Sequence, residues 1–173
     1  MKQTTEGLLA IFDIVNNWLK FAEQKTGVII VLNSGLSWGV TRLSQSLIEK
    51  TGFAALTSIT IISMSTTLCI ISLLPIMQKM LCGRPSIQTE EKRKSCIYFG
   101  DIAGMTNTEF SNAYAKSNGI ETDELNGFDK DIIDQIITNS KIALEKFFLV
   151  RIASWLTFIG LIIFPLGMLL SLT

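Results

Sequence analysis

The sequence predicts an all-α fold: a small polytopic membrane protein with three transmembrane helices, an N-terminal amphipathic helix, and a mainly helical cytoplasmic domain between spans two and three. Of the 173 residues, 48 % are hydrophobic, which is more than a soluble domain of this size needs. Two long runs, 51–78 and 152–173, contain no charged residue. About 20 apolar residues cross a hydrocarbon core roughly 30 Å thick, so both runs are long enough to span a bilayer.

Residues 1–25 predict the amphipathic helix. Apolar residues recur on one helical face, and polar or charged residues lie opposite them. The apolar face consists of Leu8, Ile11, Phe12, Val15, Trp18, Leu19 and Ala22. Such a helix can lie on a membrane surface, pack on the soluble part of its own protein, or move as a gate. The pattern leaves these roles open.

The first span is predicted at about residues 27–47. The uncharged run 26–41 is short for a span, but Lys25 and Arg42 flank it, and long cationic side chains can reach water from the edge of the hydrocarbon layer. Asn33 falls near the middle. An amide in hydrocarbon needs a partner, so we expect Asn33 either to hydrogen-bond to another helix or to line a pore or water-filled cleft.

The second span, predicted at about 53–77, completes a transmembrane hairpin over residues 26–78. It is rich in serine and threonine, which can bond back to carbonyls of their own helix at little cost in lipid. Thr60, Ser63 and Thr67 fall on one helical face. Together with Asn33 they are predicted to form a polar seam in the membrane, suited to helix packing in an oligomer or to a hydrated path.

Residues 79–151 form the predicted cytoplasmic region. Lys and Arg number three before residue 26, two in the turn 41–52 and ten from 79 to 151. Because positive charge accumulates on the cytoplasmic side, the N-terminus and residues 79–151 are expected inside, and the C-terminus outside. The cations that directly follow the second span, which can meet anionic lipid headgroups or a phosphate-bearing ligand, are Lys79, Arg84, Lys92, Arg93 and Lys94.

Short elements are predicted within this region. Residues 96–100 are an apolar and aromatic run closed by glycine, either strand-like or a loop. Thr106 and Glu109 have the spacing of a capping box and predict a helix to about Lys116. Asn118 and Gly119 end that helix, Thr122 or Asp123 can start another turn, and Asn126–Gly127 is the break before the final helix.

The final helix is predicted to pass from an amphipathic part into the third span, 152–173. No glycine or proline interrupts it between Asp129 and Gly160. The last charged residue, Arg151, is expected at the membrane boundary, with its stem in lipid and its guanidinium in water.

Several function classes find no support in the residues. Histidine is absent, which removes the side chain most used in acid–base catalysis and the commonest zinc ligand. No glycine-rich phosphate loop, nucleophile elbow or carboxylate pair within the spans is present. With 15 basic and 15 acidic residues, net charge gives no indication of nucleic-acid binding. We therefore expect no enzyme, no cofactor and no metal ion.

The order of several motifs resembles the transmembrane effectors of Pycsar (pyrimidine cyclase) antiphage systems over about residues 14 to 172. The motifs are Trp18-Leu19-Lys20-Phe21-Ala22-Glu23-Gln24-Lys25, Asn33-Ser34-Gly35, Ile97-Tyr98-Phe99-Gly100-Asp101-Ile102-Ala103, and the Thr-x-x-Glu-Phe start at Thr106. In this family Asn is commonly followed directly by Gly, whereas here Ser34 intervenes.

The resemblance implies an antiviral defence effector in the bacterial inner membrane. It would be activated by a cyclic pyrimidine mononucleotide, cCMP or cUMP, and would impair membrane integrity so that the infected cell dies before phage spreads. Residues 79–151 would then be the sensor, and the protein a homo-oligomer in the lipid bilayer. A nucleotide needs a cation for its phosphate and an aromatic ring for its base. The candidates are Arg93, Lys94, Tyr98 and Phe99, although the cations could serve lipid and the aromatics the core. The alternative is a constitutive small channel or assembly subunit that binds a protein partner and no nucleotide.

Overall fold

The computed structural model describes residues 2–45, 48–74 and 95–172, and every regular element within them is helical. The all-α prediction is therefore confirmed. The α-helices are α1 (Lys2–Gln45), α2 (Ile48–Leu73), α3 (Phe99–Ile102), α4 (Asn107–Asn118) and α5 (Gly127–Leu172), with a 3-10 turn at Thr122–Glu124. They form two compact units: the first unit comprises residues 1–22 and 78–146, and the second unit residues 23–77 and 147–173. The four segments predicted above stay a prediction.

Helix α1 differs from the expectation of an amphipathic helix followed by a separate span, because it runs unbroken from Lys2 to Gln45. The segment contains no proline, and an isolated glycine costs a helix only about 1 kcal/mol. A single seam of buried or half-buried positions follows its whole length, at spacings that alternate four and three. These positions are 8, 12, 15, 19, 22, 26, 29, 33, 36 and 40.

The first unit has a conventional apolar core. Leu8, Ile11 and Val15 of α1 pack with Phe110 of α4 and Ile133 of α5, so the N-terminal part of α1 packs on the other helices of the first unit. Fully burying one such side chain stabilises a fold by about 1.5–3 kcal/mol. The remaining buried members are Ile102, Met105, Tyr114, Leu125, Ile132, Ile136 and Ile137.

The short elements of the first unit follow the predicted signals, with one exception. Residues 96–97 are a bend and Phe99–Ile102 is a helix, so the strand-like interpretation of 96–100 is wrong. The capping box at Thr106 is confirmed, because its hydroxyl accepts from the Glu109 amide and the Glu109 carboxylate accepts from the Thr106 amide. Gly119 ends α4 at φ 67°, a left-handed conformation that favours glycine.

The second unit buries polar side chains and exposes large apolar ones. Its interior combines small and hydroxylated residues with a few larger apolar ones, among them Val40, Ile62 and Phe164, whereas many large apolar side chains lie on its outside. The buried polar residues are Thr26, Asn33, Ser58, Ser65, Ser72 and Thr157. The most exposed apolar residues include Val28, Val31, Trp38, Phe53, Leu56, Met64, Trp155, Leu169 and Leu170. This is the packing expected of helices in lipid, where small residues let backbones approach closely.

Two described helices are long and apolar enough to cross a membrane, α2 from Gly52 to Leu73 and α5 over Gly127–Leu170. Helix α1 is not one of them, so the count of three spans stays a prediction.

Candidate functional site

The interior of the second unit is organised around Asn33. Its amide nitrogen donates to Ser65 Oγ and to Thr66 Oγ1 on α2, both at 3.1 Å. Its side-chain oxygen accepts from Thr157 Oγ1 on α5 at 2.8 Å. Asn33 therefore bonds to both other helices, which confirms that it hydrogen-bonds across helices. Both amide protons are used, and the three helices are joined at one buried point, called the Asn33 lock below.

The hydroxyls around the lock also bond to backbone. Ser65 Oγ donates to the Ala153 carbonyl at 2.8 Å and lies 2.9 Å from Thr157 Oγ1. Thr157 Oγ1 lies 3.0 Å from the same carbonyl. Ser65 thus accepts from Asn33 and donates to α5, whereas the single hydroxyl proton of Thr157 can go either to Asn33 Oδ1 or to the Ala153 carbonyl of its own helix. A hydrogen-bond network in a low-dielectric interior holds helices together strongly when each donor and acceptor in it is paired.

Three buried serines of α2 repeat every seven residues and are called the serine seam below: Ser58, Ser65 and Ser72. A seven-residue repeat keeps one face of a helix turned to its neighbour, as in coiled coils. Ser58 Oγ donates to the Gly160 carbonyl at 2.6 Å, so the seam bonds to α5 two turns away from Ser65. Ser72 Oγ has no hydrogen-bond partner among the described residues.

Two glycines of α5 allow α2 to approach closely. A Cβ added at Gly160 would lie 2.8 Å from Ile62 Cγ1 and 3.3 Å from the Ser58 carbonyl oxygen. A Cβ at Gly167 would overlap the Ala54 methyl group. Both positions therefore require glycine, because any side chain would meet atoms of α2. Gly35, by contrast, has nothing within 4 Å of an added Cβ, so α1 does not approach a neighbour closely there.

The structure does not bring the predicted polar seam together. Thr60, Ser63 and Thr67 lie on the exposed side of α2, away from the serine seam. Thr60 donates to the Thr57 carbonyl at 2.8 Å and Thr67 to the Ser63 carbonyl at 2.9 Å. These hydroxyls are satisfied within α2, so their face is compatible with lipid or with a second protein surface.

The structure describes two of the four predicted ligand-binding residues, Tyr98 and Phe99. Arg93 and Lys94 lie outside the described residues. Tyr98 is 51 % exposed, whereas Phe99 is only 6 % exposed. The Phe99 ring lies between two others, with centroids 4.9 Å from Tyr98 and 5.5 Å from Trp18. Phe99 therefore supports its neighbours from within the core, and Tyr98 is the ring of the predicted pair that can meet a ligand.

A polar clasp fastens the start of α1 to the rest of the first unit. The buried Asp129 carboxylate accepts from Thr5 Oγ1 at 2.8 Å and from the backbone N–H of Asn126 at 3.2 Å. Tyr114 donates to the Thr4 carbonyl at 2.8 Å. Burial, and secondarily the negative charge of Asp129, raises the pKa of Tyr114 above its ordinary value of 10.0, so its hydroxyl stays a donor at neutral pH.

Aromatic rings accompany the cations that precede two apolar runs of the second unit, 26–41 and 152–173. Lys25 Nζ lies 5.7 Å from the centroid of the Phe147 ring, and the Arg151 guanidinium 5.6 Å from that of Phe148. Such contacts stabilise a cation by about 0.5–1 kcal/mol at exposed sites. Within residues 2–45, 48–74 and 95–172, no group of three or more Cys, Asp or Glu side chains could hold a metal ion.

The family model of the Pycsar effector protein domain matches residues 7–173. The chain belongs to this family. The match extends over nearly the whole of this Pycsar effector, including both units and every helix described above. No curated protein and no solved structure matches the chain.

Sequence reasoning missed the serine seam of this Pycsar effector. The signal was present, because Ser58, Ser65 and Ser72 stand seven residues apart. It was hidden by the other hydroxyls of the same helix, whose three- and four-residue spacing is equally regular. The Asn33 lock was predicted in part: the need for a partner was evident, but not the identity of Ser65, Thr66 and Thr157.

Proposed function

We propose that this Pycsar effector is a three-span protein of the bacterial inner membrane that is activated by cCMP or cUMP. Activation impairs the membrane and causes abortive infection. The proposal rests on family membership, and the observation that supports its membrane part is the packing of the second unit, which buries several polar residues and exposes many large apolar ones. No catalytic step is needed, because ligand binding can shift a packing equilibrium if the two packings differ in affinity for the ligand.

Besides the two helices that meet the requirement for a span, the second half of α1 is proposed to cross the membrane. Asn33 bonds to both helices that meet the length and hydropathy requirement for a span, so α1 lies against them in the same bundle. Lys25 and Arg42, which bound its uncharged run, are 17 residues apart, about 26 Å along a helix. That separation is close to the roughly 30 Å thickness of a hydrocarbon core.

Three spans would leave the N-terminus and residues 79–151 in the cytoplasm and the C-terminus outside. The support is the distribution of cations, 13 of 15 of which fall before residue 26 or between 79 and 151. A non-permeant amine label applied to intact cells should therefore not modify Lys92 or Lys94. Labelling of either lysine from outside would contradict the orientation.

The ligand site is proposed around Arg93, Lys94 and Tyr98. The cations would bind the cyclic phosphate and the exposed Tyr98 ring would stack on the base, while Phe99 holds Tyr98 in place. Arg93→Ala combined with Tyr98→Ala should abolish the thermal shift that cCMP or cUMP produces in the purified protein. Lys116→Ala, which removes an exposed cation of the same unit, is the matched control. An unchanged shift in the double variant would remove these residues from the site.

Oligomerisation is proposed through the exposed hydroxyl face of α2. Small hydroxylated residues let helices approach closely in lipid, and Thr60, Ser63 and Thr67 present such a surface outside the bundle. Changing all three to Val should keep expression, because their hydroxyls are not part of the buried network, and should block membrane leakage. Leakage retained by the triple variant would argue against this face as the interface.

Propidium entry into cells that produce the protein tests the function as a whole. Under the proposal, the dye enters only when cCMP or cUMP is supplied or co-produced. Entry that does not depend on the nucleotide would favour the alternative, a constitutive channel or assembly subunit. Titrating each nucleotide separately against the purified protein decides which of the two is the ligand.

A further inference from the structure

The first unit exposes a strip of apolar side chains on one side of α1, consisting of Ile14, Trp18 and Phe21 and called the aromatic strip below. Trp18 is 38 % and Phe21 42 % exposed, and both lie in the part of α1 that belongs to the first unit. Exposed aromatic residues clustered at one place on a protein usually mark a contact with another molecule or with a membrane.

The aromatic strip keeps a constant position relative to the buried seam of α1. Each member directly precedes a seam residue: Ile14 precedes Val15, Trp18 precedes Leu19, and Phe21 precedes Ala22. Further along α1, the same relation holds for Lys25, Val28 and Leu32, which are likewise exposed. The six positions follow each other at alternating spacings of four and three, so all of them lie on one face of the helix.

On this shared face, Val28 and Leu32 lie in the uncharged run proposed to cross the membrane. Lys25 marks the boundary of that run, and Phe21 and Trp18 lie one turn and two turns before Lys25. These are the positions at which aromatic side chains concentrate in membrane proteins, because their rings favour the headgroup layer and the indole N–H can still hydrogen-bond.

The rings of the strip are supported from the core. The Trp18 ring contacts buried Phe99, with centroids 5.5 Å apart and planes inclined at 43°, and meets Phe21 edge to face at 6.2 Å. Trp18 is therefore held partly exposed by packing. A side chain fixed in this way presents a defined surface at little entropic cost on binding.

We infer that the aromatic strip is a membrane-contact surface, with Trp18 and Phe21 inserted in the headgroup layer of the bilayer. The inference rests on the membrane location proposed above. Its occupant is lipid, because Trp18 and Phe21 lie two turns and one turn before Lys25, where the uncharged run of the same helix begins. The N-terminal part of α1 would thus contact the bilayer through its own aromatic residues.

Tryptophan fluorescence tests this, since Trp18, Trp38 and Trp155 are the three tryptophans of the chain. The full-length variant Trp38→Phe/Trp155→Phe retains only Trp18, and Trp18→Phe/Trp38→Phe retains only Trp155, which is exposed on the second unit. Both are reconstituted into vesicles of phosphatidylcholine brominated on its acyl chains. The expected result is a loss of Trp18 emission comparable to that of Trp155, and larger when the bromines lie near the headgroup than near the chain end.

The control separates the two levels of the proposal. Quenching of Trp155 without quenching of Trp18 would overturn the aromatic strip as a lipid contact and leave the membrane location intact. Absence of quenching at both positions would overturn the membrane location and the inference with it. Quenching of Trp18 by added cCMP or cUMP, but not by brominated lipid, would also overturn the inference and assign the strip to the ligand.

Discussion

Thr157 on the last helix and Asn33 on the first are joined by a buried hydrogen bond of 2.8 Å between Thr157 Oγ1 and Asn33 Oδ1. The same amide bonds to Ser65 and Thr66 on α2, so one side chain connects all three helices of the second unit. In lipid, association of helices depends on packing and hydrogen bonds rather than on the hydrophobic effect. Any rearrangement that separates these helices must break the Asn33 lock.

Asn33→Ala should destabilise the bundle by about 2 kcal/mol, because three hydrogen bonds of about 0.6 kcal/mol each are lost. If the lock holds the inactive packing, the variant should also admit propidium without nucleotide, since destabilising one state raises the population of the other. Unfolding in mixed micelles and dye entry measure the two effects. Ser34→Ala is the control, because Ser34 is exposed and bonds only to the Ile30 carbonyl among the described residues. Unaltered stability of Asn33→Ala would show that the lock is not needed.

The sequence predicts only part of the hydrogen bonding in the polar interior. That Asn33 needs a partner follows from the cost of an unpaired amide in hydrocarbon. Which hydroxyl supplies it depends on the register between helices, and Ser65, Thr66 and Thr67 are consecutive, so one face of α2 cannot be chosen from composition. The seven-residue repeat of Ser58, Ser65 and Ser72 was the usable signal, because only a repeat of that period stays on one face over several turns of packed helices.

The continuity of α1 was equally difficult to predict. Residues 1–25 have charged side chains on one helical face and apolar ones on the other, whereas 26–41 are uncharged, and this change of composition indicates two elements. The backbone hydrogen bonds of a helix do not depend on the polarity of its side chains, so the helix continues through that change because no proline intervenes. Capping signals in the first unit were more reliable, because Thr106, Glu109 and Gly119 act on their own neighbours and need no partner from elsewhere in the chain.

Gly167→Ala should destabilise the second unit by about 1–3 kcal/mol, because the new methyl group overlaps that of Ala54 and overpacking strains both helices. The compensating change Ala54→Gly removes the overlap. In that background Gly167→Ala should be neutral or stabilising, since alanine favours a helix by up to about 1 kcal/mol over glycine. The double-mutant cycle is measured by unfolding in mixed micelles. Equal effects of Gly167→Ala in both backgrounds would contradict the close contact.

Thr106→Ala should lower the stability of the first unit by about 0.5–2 kcal/mol, the usual cost of losing an N-cap. The hydroxyl accepts from the Glu109 backbone amide at 3.2 Å. Hydrogen exchange of the α4 amides should accelerate most in its first turn. Ser117→Ala is the control, because Ser117 is exposed and bonds back to the Ala113 carbonyl. Slow exchange retained in the first turn of Thr106→Ala would show that the cap is dispensable.

Tyr114→Phe tests the clasp between α1 and the rest of the first unit, and its effect should depend on pH. At neutral pH the variant loses the hydrogen bond to the Thr4 carbonyl, worth about 0.5–1.5 kcal/mol. The pKa of Tyr114 is raised in the folded protein, by burial and then by Asp129, whereas in the unfolded chain it is about 10. As pH rises above about 10, the unfolded state releases a proton that the folded state retains, so the wild type loses stability there and the variant does not. The stability difference between wild type and Tyr114→Phe should therefore be constant up to about pH 9 and shrink above pH 10. A difference that grows at alkaline pH would mean that the folded state favours the phenolate, which cannot donate to the Thr4 carbonyl, and would contradict the clasp.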